Sequence, residues 1–232
     1  MRQPRPTRRV FGAGLLASLL APVAKAAEAE VDLALVLAID CSFSVDAREF
    51  RMQMQGLGEA LASAEVWQAI DNGPLKKIAV AAFLWSDSDS QVVIRPWTII
   101  ASADAARITG EHLASVKRSV RLGGTGISAA LIFGGALMAL APAATRRVID
   151  VSTDGRNNLG KPVYRARNEV VARGITINGL AIANEWPTLD HYLEQQVAGG
   201  PSNFVVKADT YDDYGAAMQR KLIREIVGPG LT

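Results

Sequence analysis

Apolar residues occur in short runs along the chain, and residues that turn the chain or cap helices follow these runs. Residues 33–39 are all apolar, which is typical of a strand buried on both faces of a parallel sheet. Asp46 follows as a helix N-cap, and Glu49 three positions later completes a capping box. Apolar residues then recur at helical spacing, at Phe50, Met54, Leu57 and Leu61. The first predicted unit is therefore a buried strand followed by an amphipathic helix.

Strands and helices alternate through the rest of the chain. Further strands are predicted at residues 76–84, 91–94, 148–151, 175–182 and 204–207. Further helices are predicted at residues 103–117, 127–140, 162–173, 188–198 and 211–227. The polar turn at residues 86–90 makes a hairpin of the two strands that it joins. This order predicts an α/β fold: a doubly wound, mostly parallel central sheet with one antiparallel edge strand and helices on both faces.

Three oxygen-bearing side chains follow the first predicted strand directly: Asp40, Ser42 and Ser44. In open α/β sheets the carboxyl ends of the strands form the edge where ligands bind. Alternate residues of an extended segment point the same way, so the three oxygens are expected to converge. One carboxylate and two hydroxyls suit Mg²⁺ or Mn²⁺ better than zinc. Taken alone, the same pattern also fits a polar turn without any ion.

Two later stretches add to this pattern. Gly123-Gly124-Thr125-Gly126 precedes a helix rich in alanine and glycine, and Ser152-Thr153-Asp154-Gly155 ends the strand predicted at residues 148–151. In order and spacing, the three stretches resemble the metal-ion-dependent adhesion site (MIDAS) of von Willebrand factor A (VWA) domains. The resemblance extends from about residue 31 to about residue 226. It implies that Asp40, Ser42, Ser44, Thr125 and Asp154 surround one divalent cation, Mg²⁺ or else Mn²⁺ or Ca²⁺.

A narrower resemblance concerns three other stretches. Residues 148–152, 174–180 and 221–226 are similar to those of an uncharacterised family of exported bacterial proteins with the VWA fold. The biochemical role of that family is not established. The resemblance therefore implies a fold and a metal site, but no substrate.

The first 26 residues have the composition of a cleavable export signal. A basic segment with four arginines precedes a short apolar stretch, and Ala24-Lys25-Ala26 is a small-x-small cleavage site. Thr7-Arg8-Arg9-Val10-Phe11 resembles the twin-arginine export signal; an ordinary secretory signal is the alternative. We therefore expect a signal peptide at residues 1–26, a single VWA-like domain at residues 27–232, and a periplasmic or secreted protein exported by the twin-arginine route. No later segment is long and apolar enough to predict a membrane span after cleavage.

Removal of this signal changes the charge of the protein. The whole chain has 25 Lys+Arg and 23 Asp+Glu, and residues 1–26 contain five of the basic and none of the acidic residues. The remaining chain has 20 basic and 23 acidic residues, a net charge of −3. The basic excess thus belongs to the signal, and nothing in the composition indicates a nucleic-acid partner.

Three interpretations of the site remain open on the sequence. The preferred one is a non-enzymatic binding module, in which the cation keeps an open position for a carboxylate presented by a partner protein. A metal-assisted hydrolase of phosphoesters is the enzymatic alternative. Against it, Gly-x-Ser-x-Gly is absent and neither His112 nor His191 lies in the motif loops. The third interpretation is a VWA fold that keeps the motif without a working metal site.

Two residues near the motifs have structural interpretations. Cys41, the only cysteine, alternates with the metal-site side chains and is expected to face the core as a small apolar residue. Phe43, the other spacer in the motif, is expected to point away from the metal. Asp150 lies within a buried strand, where a carboxylate needs a partner. A hydrogen bond or an ion pair, for example to an arginine, is therefore expected for Asp150 rather than metal ligation.

Overall fold

A six-stranded sheet forms the centre of the protein in a computed structural model that describes Met1 and residues 30–228. The strand order is β3-β2-β1-β4-β5-β6. All neighbouring strands are parallel except β2 and β3, which form an antiparallel hairpin at one edge. The strands are β1 Val31–Asp40, β2 Ile78–Trp85, β3 Gln91–Ile100, β4 Ala144–Thr153, β5 Thr176–Ile182 and β6 Val205–Ala208. The predicted mostly parallel sheet with one antiparallel edge strand is confirmed.

Seven helices accompany the sheet within residues 30–228. They are α1 Ala47–Ala62, α2 Ala64–Asp71, α3 Ala103–Ala114, α4 Ile127–Met138, α5 Val163–Ala172, α6 Leu189–Tyr192 and α7 Tyr214–Val227. A π-helical turn, Leu193–Val197, continues α6. Each predicted helix is present with ends shifted by a few residues, whereas α2 was not predicted. Ser63 separates α2 from α1 and caps it by accepting a hydrogen bond from the Val66 backbone N–H.

The sheet divides the core into two layers. Successive side chains of the central strand β1 point to opposite faces of the sheet and so enter the two layers in turn. Leu33, Leu35, Leu37 and Ile39 pack in one apolar cluster with residues of α1, α2, α3 and α7. Ala34, Val36 and Ala38 pack in a second cluster with residues of α4, α5 and α6. Helices therefore cover both faces, and β1 is buried along its whole length, as its apolar run predicts.

The capping box fixes where α1 begins. The Asp46 carboxylate accepts hydrogen bonds from the backbone N–H groups of Arg48 and Glu49, and the Glu49 carboxylate accepts one from Asp46 N–H. These bonds satisfy donors that the first helical turn leaves free. The helix therefore starts within a few residues of the end of β1, and the segment with Asp40, Ser42 and Ser44 is confined to a short loop at the edge of the sheet.

The predicted signal peptide lies outside the described residues apart from Met1, so export and the domain limits remain predictions. Within the part of the chain that the structure describes, no helix has the length and apolar character needed to cross a membrane.

Candidate metal centre

The five residues of the predicted metal site lie at one edge of the sheet. Asp40 is the last residue of β1, and Asp154 directly follows the last residue of β4. The two strands are parallel neighbours, so their carboxyl ends lie side by side. Thr125 stands just before Gly126, the N-cap of α4. The predicted placement at the carboxyl edge of the sheet is therefore observed.

Direct contacts join the two strand ends. Ser44 Oγ donates a hydrogen bond to Asp154 Oδ1 at 2.7 Å across 110 positions of sequence. The hydroxyls of Ser42 and Ser44 are 3.2 Å apart, and the Ser42 backbone N–H donates to Asp40 Oδ1 at 2.8 Å. The loop after β1 thus turns back over its own aspartate and reaches the aspartate after β4.

Thr125 is held next to this group by the loop that follows Asp154. Its backbone N–H donates to Asn158 Oδ1 at 2.8 Å, and its carbonyl accepts from Asn158 N–H at 3.0 Å. A Cβ placed on Gly155 would lie 3.1 Å from Thr125 Oγ1. The hydroxyl of Thr125 therefore lies beside the residue that follows Asp154, where a side chain larger than hydrogen would crowd it.

Two further hydroxyl groups contact the carboxylates, and neither was predicted. Thr153 Oγ1 donates a short hydrogen bond to Asp40 Oδ2. Tyr211 OH donates to Asp154 Oδ2 at 2.9 Å. Thr153 directly precedes Asp154 in the Ser152-Thr153-Asp154-Gly155 stretch, so the sequence already placed it next to a predicted site residue. Tyr211 lies 57 residues after Asp154, and no local pattern connects the two.

The two carboxylates lie in an environment that disfavours their negative charge. Both are almost completely buried. Burial, and secondarily the charge of Asp154, raises the pKa of Asp40 to about 7. Burial also raises the pKa of Asp154, against the hydrogen bonds from Ser44 and Tyr211. Two neighbouring buried carboxylates both ionise readily only when a positive charge joins them.

That positive charge does not come from a basic side chain among residues 30–228, where neither Asp40 nor Asp154 forms a salt bridge. Arg118 is the basic residue whose charge acts on Asp154. Its guanidinium, however, donates to the backbone carbonyls of Cys41, Val45 and Asp46. Two carboxylates and three hydroxyls are ligands of the kind that hard divalent cations bind, so the side chains present fit such an ion.

The residues near the motifs occupy the places expected for them, with one correction. Cys41 is a buried free thiol, and burial raises its pKa, which disfavours the reactive thiolate. Phe43 points into solvent. Asp150 forms the expected ion pair, but its partner is Lys221 at 2.7 Å and not an arginine. The lysine reaches Asp150 from α7, 71 positions later in the sequence, which local patterns do not reveal.

The two histidines lie on helices and contact other groups. His112 in α3 has Nε2 3.0 Å from the backbone carbonyl oxygen of Ile94, and His191 in α6 lies beside Asp190. Neither makes a hydrogen bond with the five site residues.

Comparison with solved structures identifies the fold. The pilus adhesin SpaC from Lactobacillus rhamnosus GG is similar with a TM-score of 0.61 at 13% identity, over 84% of this chain and 31% of SpaC. Proximal thread matrix protein 1 from the mussel byssus, solved with a zinc-occupied MIDAS motif, has a TM-score of 0.62 at 18% identity, over 86% of this chain and 49% of its own. A von Willebrand factor type A protein from Catenulispora acidiphila has a TM-score of 0.61 at 18% identity, over 84% of this chain and 43% of its own.

These proteins are larger than the region they share with this chain, which spans between about a third and a half of their length. At such identities the likeness shows the fold alone. A comparison with curated proteins finds no match. The sequence pattern of one family, described as "Protein of unknown function (DUF1194)", matches residues 30–230. The chain therefore has the VWA fold and belongs to the DUF1194 family.

Proposed function

We propose that this protein is an exported protein-binding module that uses a MIDAS-type divalent cation. The cation is held by Asp40, Ser42, Ser44, Thr125 and Asp154. It bridges the domain to an acidic residue of a partner protein. One observation carries the proposal: two buried carboxylates meet among hydroxyls, and no basic side chain of residues 30–228 forms a salt bridge with either of them.

The residues at the site have two different roles in the proposed ion binding. The hydroxyls of Ser42, Ser44 and Thr125 supply neutral oxygen ligands, directly or through water. Asp40 and Asp154 balance the charge of the dication, largely through water. A small hard cation takes about six oxygen ligands and keeps some waters, so one position is left for an oxygen from outside. A carboxylate of another protein is the natural donor, because its charge matches that of the ion.

Two of the similar structures support the role in binding and the export. One is a pilus adhesin, and the other is a matrix protein of byssal threads with zinc in its MIDAS motif. The arginine-rich, cleavable segment predicted at residues 1–26 adds an independent reason for export. The zinc in the mussel protein means that the ion of this protein has to be established by titration and not from the ligand types alone.

The first test measures ion binding by the purified chain with Mg²⁺, Mn²⁺, Ca²⁺ and Zn²⁺ in parallel. We expect at least one ion to bind at one site per chain, and we expect Asp40→Ala to lose this binding while keeping its circular dichroism spectrum. Asp89→Asn is the matched control, because Asp89 is an exposed acidic residue in the neighbouring turn and pairs with Arg121. Unchanged ion binding by a folded Asp40→Ala variant would reject the site.

The second test looks for the partner. Immobilised protein is incubated with cell-envelope extract in the presence of the ion and then eluted with a chelator. We expect a protein that is retained by the wild type, released by the chelator and absent with Asp40→Ala. Retention that is insensitive to the chelator would contradict a bridging cation.

A further inference from the structure

Three large apolar side chains are exposed in the loops that carry the candidate metal site. Phe43, between Ser42 and Ser44, is 71% exposed. Leu122, just before the Gly123–Gly126 loop, is 48% exposed, and Leu159 in the loop after Asp154 is 37% exposed. We call these three residues the apolar rim.

Contacts between the loops bring the apolar rim together. The backbone N–H of Phe43 donates to the carbonyl of Gly123 at 2.9 Å, which places Phe43 beside the residue after Leu122. A Cβ placed on Gly124 would lie 2.5 Å from Leu159 Cδ1. Leu159 therefore packs directly over the backbone that leads into Thr125. The three residues thus lie along the loop that leads into Thr125.

The fold does not need these side chains to be apolar. The three loops are held by backbone hydrogen bonds and by Asn158, whose contacts with Thr125 are described above. None of the three rim residues belongs to either apolar cluster of the core. Contiguous exposed apolar surface that is larger than usual marks a site where another molecule binds. Aromatic and other large apolar side chains are also enriched in the buried central part of protein interfaces.

A positive charge close to Asp154 favours an acidic partner. Arg156 follows Asp154 by two residues, and its guanidinium lies 5.1 Å from the Trp186 ring centre and 5.4 Å from that of Tyr192. It donates a hydrogen bond to Thr188 Oγ1 at 3.2 Å. Within residues 30–228 it forms no ion pair, so its charge is available to a ligand. Aromatic rings hold the arginine in place without cancelling that charge.

We propose that the partner is a protein segment in which the metal-binding aspartate or glutamate has a large apolar neighbour. The carboxylate binds the cation, and the apolar neighbour packs on Phe43, Leu122 and Leu159. Arg156, two residues after Asp154, adds attraction for the acidic segment. This inference rests on the proposed function, and it adds the chemistry that distinguishes the true partner segment from any other exposed carboxylate.

A display library of linear peptides with a fixed central aspartate tests the inference. The library is selected on the full chain in the presence of Mg²⁺, and bound peptides are eluted with a chelator. We expect the eluted peptides to be enriched in Leu, Ile, Met, Phe or Trp within two positions of the aspartate. Enrichment of polar neighbours, or no enrichment beside the aspartate, would overturn the inference, and so would the absence of chelator-eluted peptides.

Rim variants then locate the contact. For a synthetic peptide taken from the selection, Phe43→Ala is expected to weaken binding by about tenfold or more, as for a central aromatic contact. Leu122→Ala and Leu159→Ala are expected to weaken it several-fold. Leu140→Ala is the matched control and is expected to change nothing, because Leu140 is 74% exposed but lies beyond the end of α4, away from the site. Equal affinity of the wild type and Phe43→Ala would overturn the inference.

Ion binding is measured on every variant in the same series. If the wild type binds the ion and the rim variants bind the peptide normally, the proposed contact between the peptide and the apolar rim is wrong, and the proposed metal site stands. If the wild type binds no ion, the proposed function itself fails. The circular dichroism spectra of the variants show that the fold is unchanged, as expected for exposed side chains.

Discussion

Two pairs of buried acidic residues lie in the core of this protein, and their surroundings differ in one respect. Asp150 and Glu225 are joined by Lys221, whose Nζ is 2.7 Å from Asp150 Oδ1 and 2.5 Å from Glu225 Oε1. Asn178 adds a hydrogen bond to Glu225 Oε1 at 3.0 Å. This pair is buried between β4, β5 and α7, and its cation comes from the chain itself.

The pair formed by Asp40 and Asp154 is buried to the same degree, but from the described part of the chain it receives only hydroxyl and backbone hydrogen bonds. Burying a charge without a counter-charge is unfavourable, so a fold keeps such a pair only where something else compensates it. The comparison teaches that the internal lysine makes one pair structural. The other pair has no salt bridge from residues 30–228, which supports the proposal that a cation from solution binds there.

The largest expected effect is the loss of the internal cation. Lys221→Met keeps the length of the side chain but leaves two buried carboxyls without their partner. We expect the free energy of unfolding to fall by about 3 to 5 kcal/mol, the range for breaking a buried ion pair. Urea unfolding followed by circular dichroism measures this loss.

Lys76→Met is the control for the lysine substitution, because Lys76 pairs with Asp71 on the surface at 3.4 Å. It is expected to change stability by less than about 1 kcal/mol. A similarly small loss for Lys221→Met would mean that Asp150 and Glu225 are stable without an internal cation, and the contrast between the two pairs would disappear.

The next effect comes from adding an external cation to the other pair. At about a hundredfold excess of Mg²⁺ over its dissociation constant, the wild type should gain about 3 kcal/mol of unfolding free energy. Asp40→Asn should lose this gain, because the amide keeps the shape of the carboxylate but not its charge. Asp89→Asn should keep it. Thermal unfolding with Mg²⁺ and with a chelator measures the difference, and an equal gain in Asp40→Asn would exclude this pair as the source.

The pH dependence of ion binding tests whether the raised pKa of Asp40 affects the affinity for the ion. The pKa of the Asp40 carboxyl is about 7 in the ion-free folded state against 3.8 as its ordinary value, so the ion-free fold holds a proton that the unfolded chain releases. Between these values, the contribution of Asp40 to the stability of the ion-free protein falls as the pH rises. A cation bound by the ionised carboxylate would displace that proton. Its affinity should therefore rise with pH in this range by up to about tenfold per pH unit, and level off above about pH 7.

The control isolates the effect of Asp40 by comparing the wild type with Asp40→Asn. The free energy of unfolding of both proteins is measured in chelator between pH 4 and pH 7, and the difference is taken at each pH. Burial also raises the pKa of Asp150 to about 7, against the attraction of Lys221. Its contribution is present in both proteins and cancels in the difference. If the difference in unfolding free energy between the two proteins does not change between pH 4 and pH 7, the pKa of Asp40 is not raised.

The smallest expected effect concerns the hydrogen bond from Tyr211 to Asp154. Tyr211→Phe removes a donor that stabilises the ionised carboxylate, so we expect the affinity for the ion to fall by about three- to tenfold. Tyr164→Phe is the control, because Tyr164 is exposed and its hydroxyl bonds only to neighbouring Arg165. An isothermal titration with the ion measures both variants, and equal losses in the two would point to a cause other than the contact with Asp154.

Much of this architecture follows from local sequence signals. The apolar run of β1, the capping box of α1 and the hairpin of β2 and β3 were predicted, but β3 continues to Ile100, six residues beyond its predicted end at residue 94. The five residues of the candidate site were predicted to meet at one sheet edge, and they do; their role as metal ligands remains a prediction. The short helix α2 was missed because it buries only Val66 and Ile70, too few residues to show a helical period.

The sequence alone determined where strands end, where helices begin and which oxygen-bearing side chains follow the strands, because capping, turning and periodicity act between residues a few positions apart. The tertiary structure alone decided which groups surround each buried carboxylate. Thr153 reaches Asp40 across 113 positions, and Tyr211 reaches Asp154 across 57. Lys221, on the last helix, completes the other acidic pair. Such contacts depend on how helices pack on the sheet, so no local pattern encodes which acidic pair receives a lysine and which receives only hydroxyl and backbone donors from the described residues.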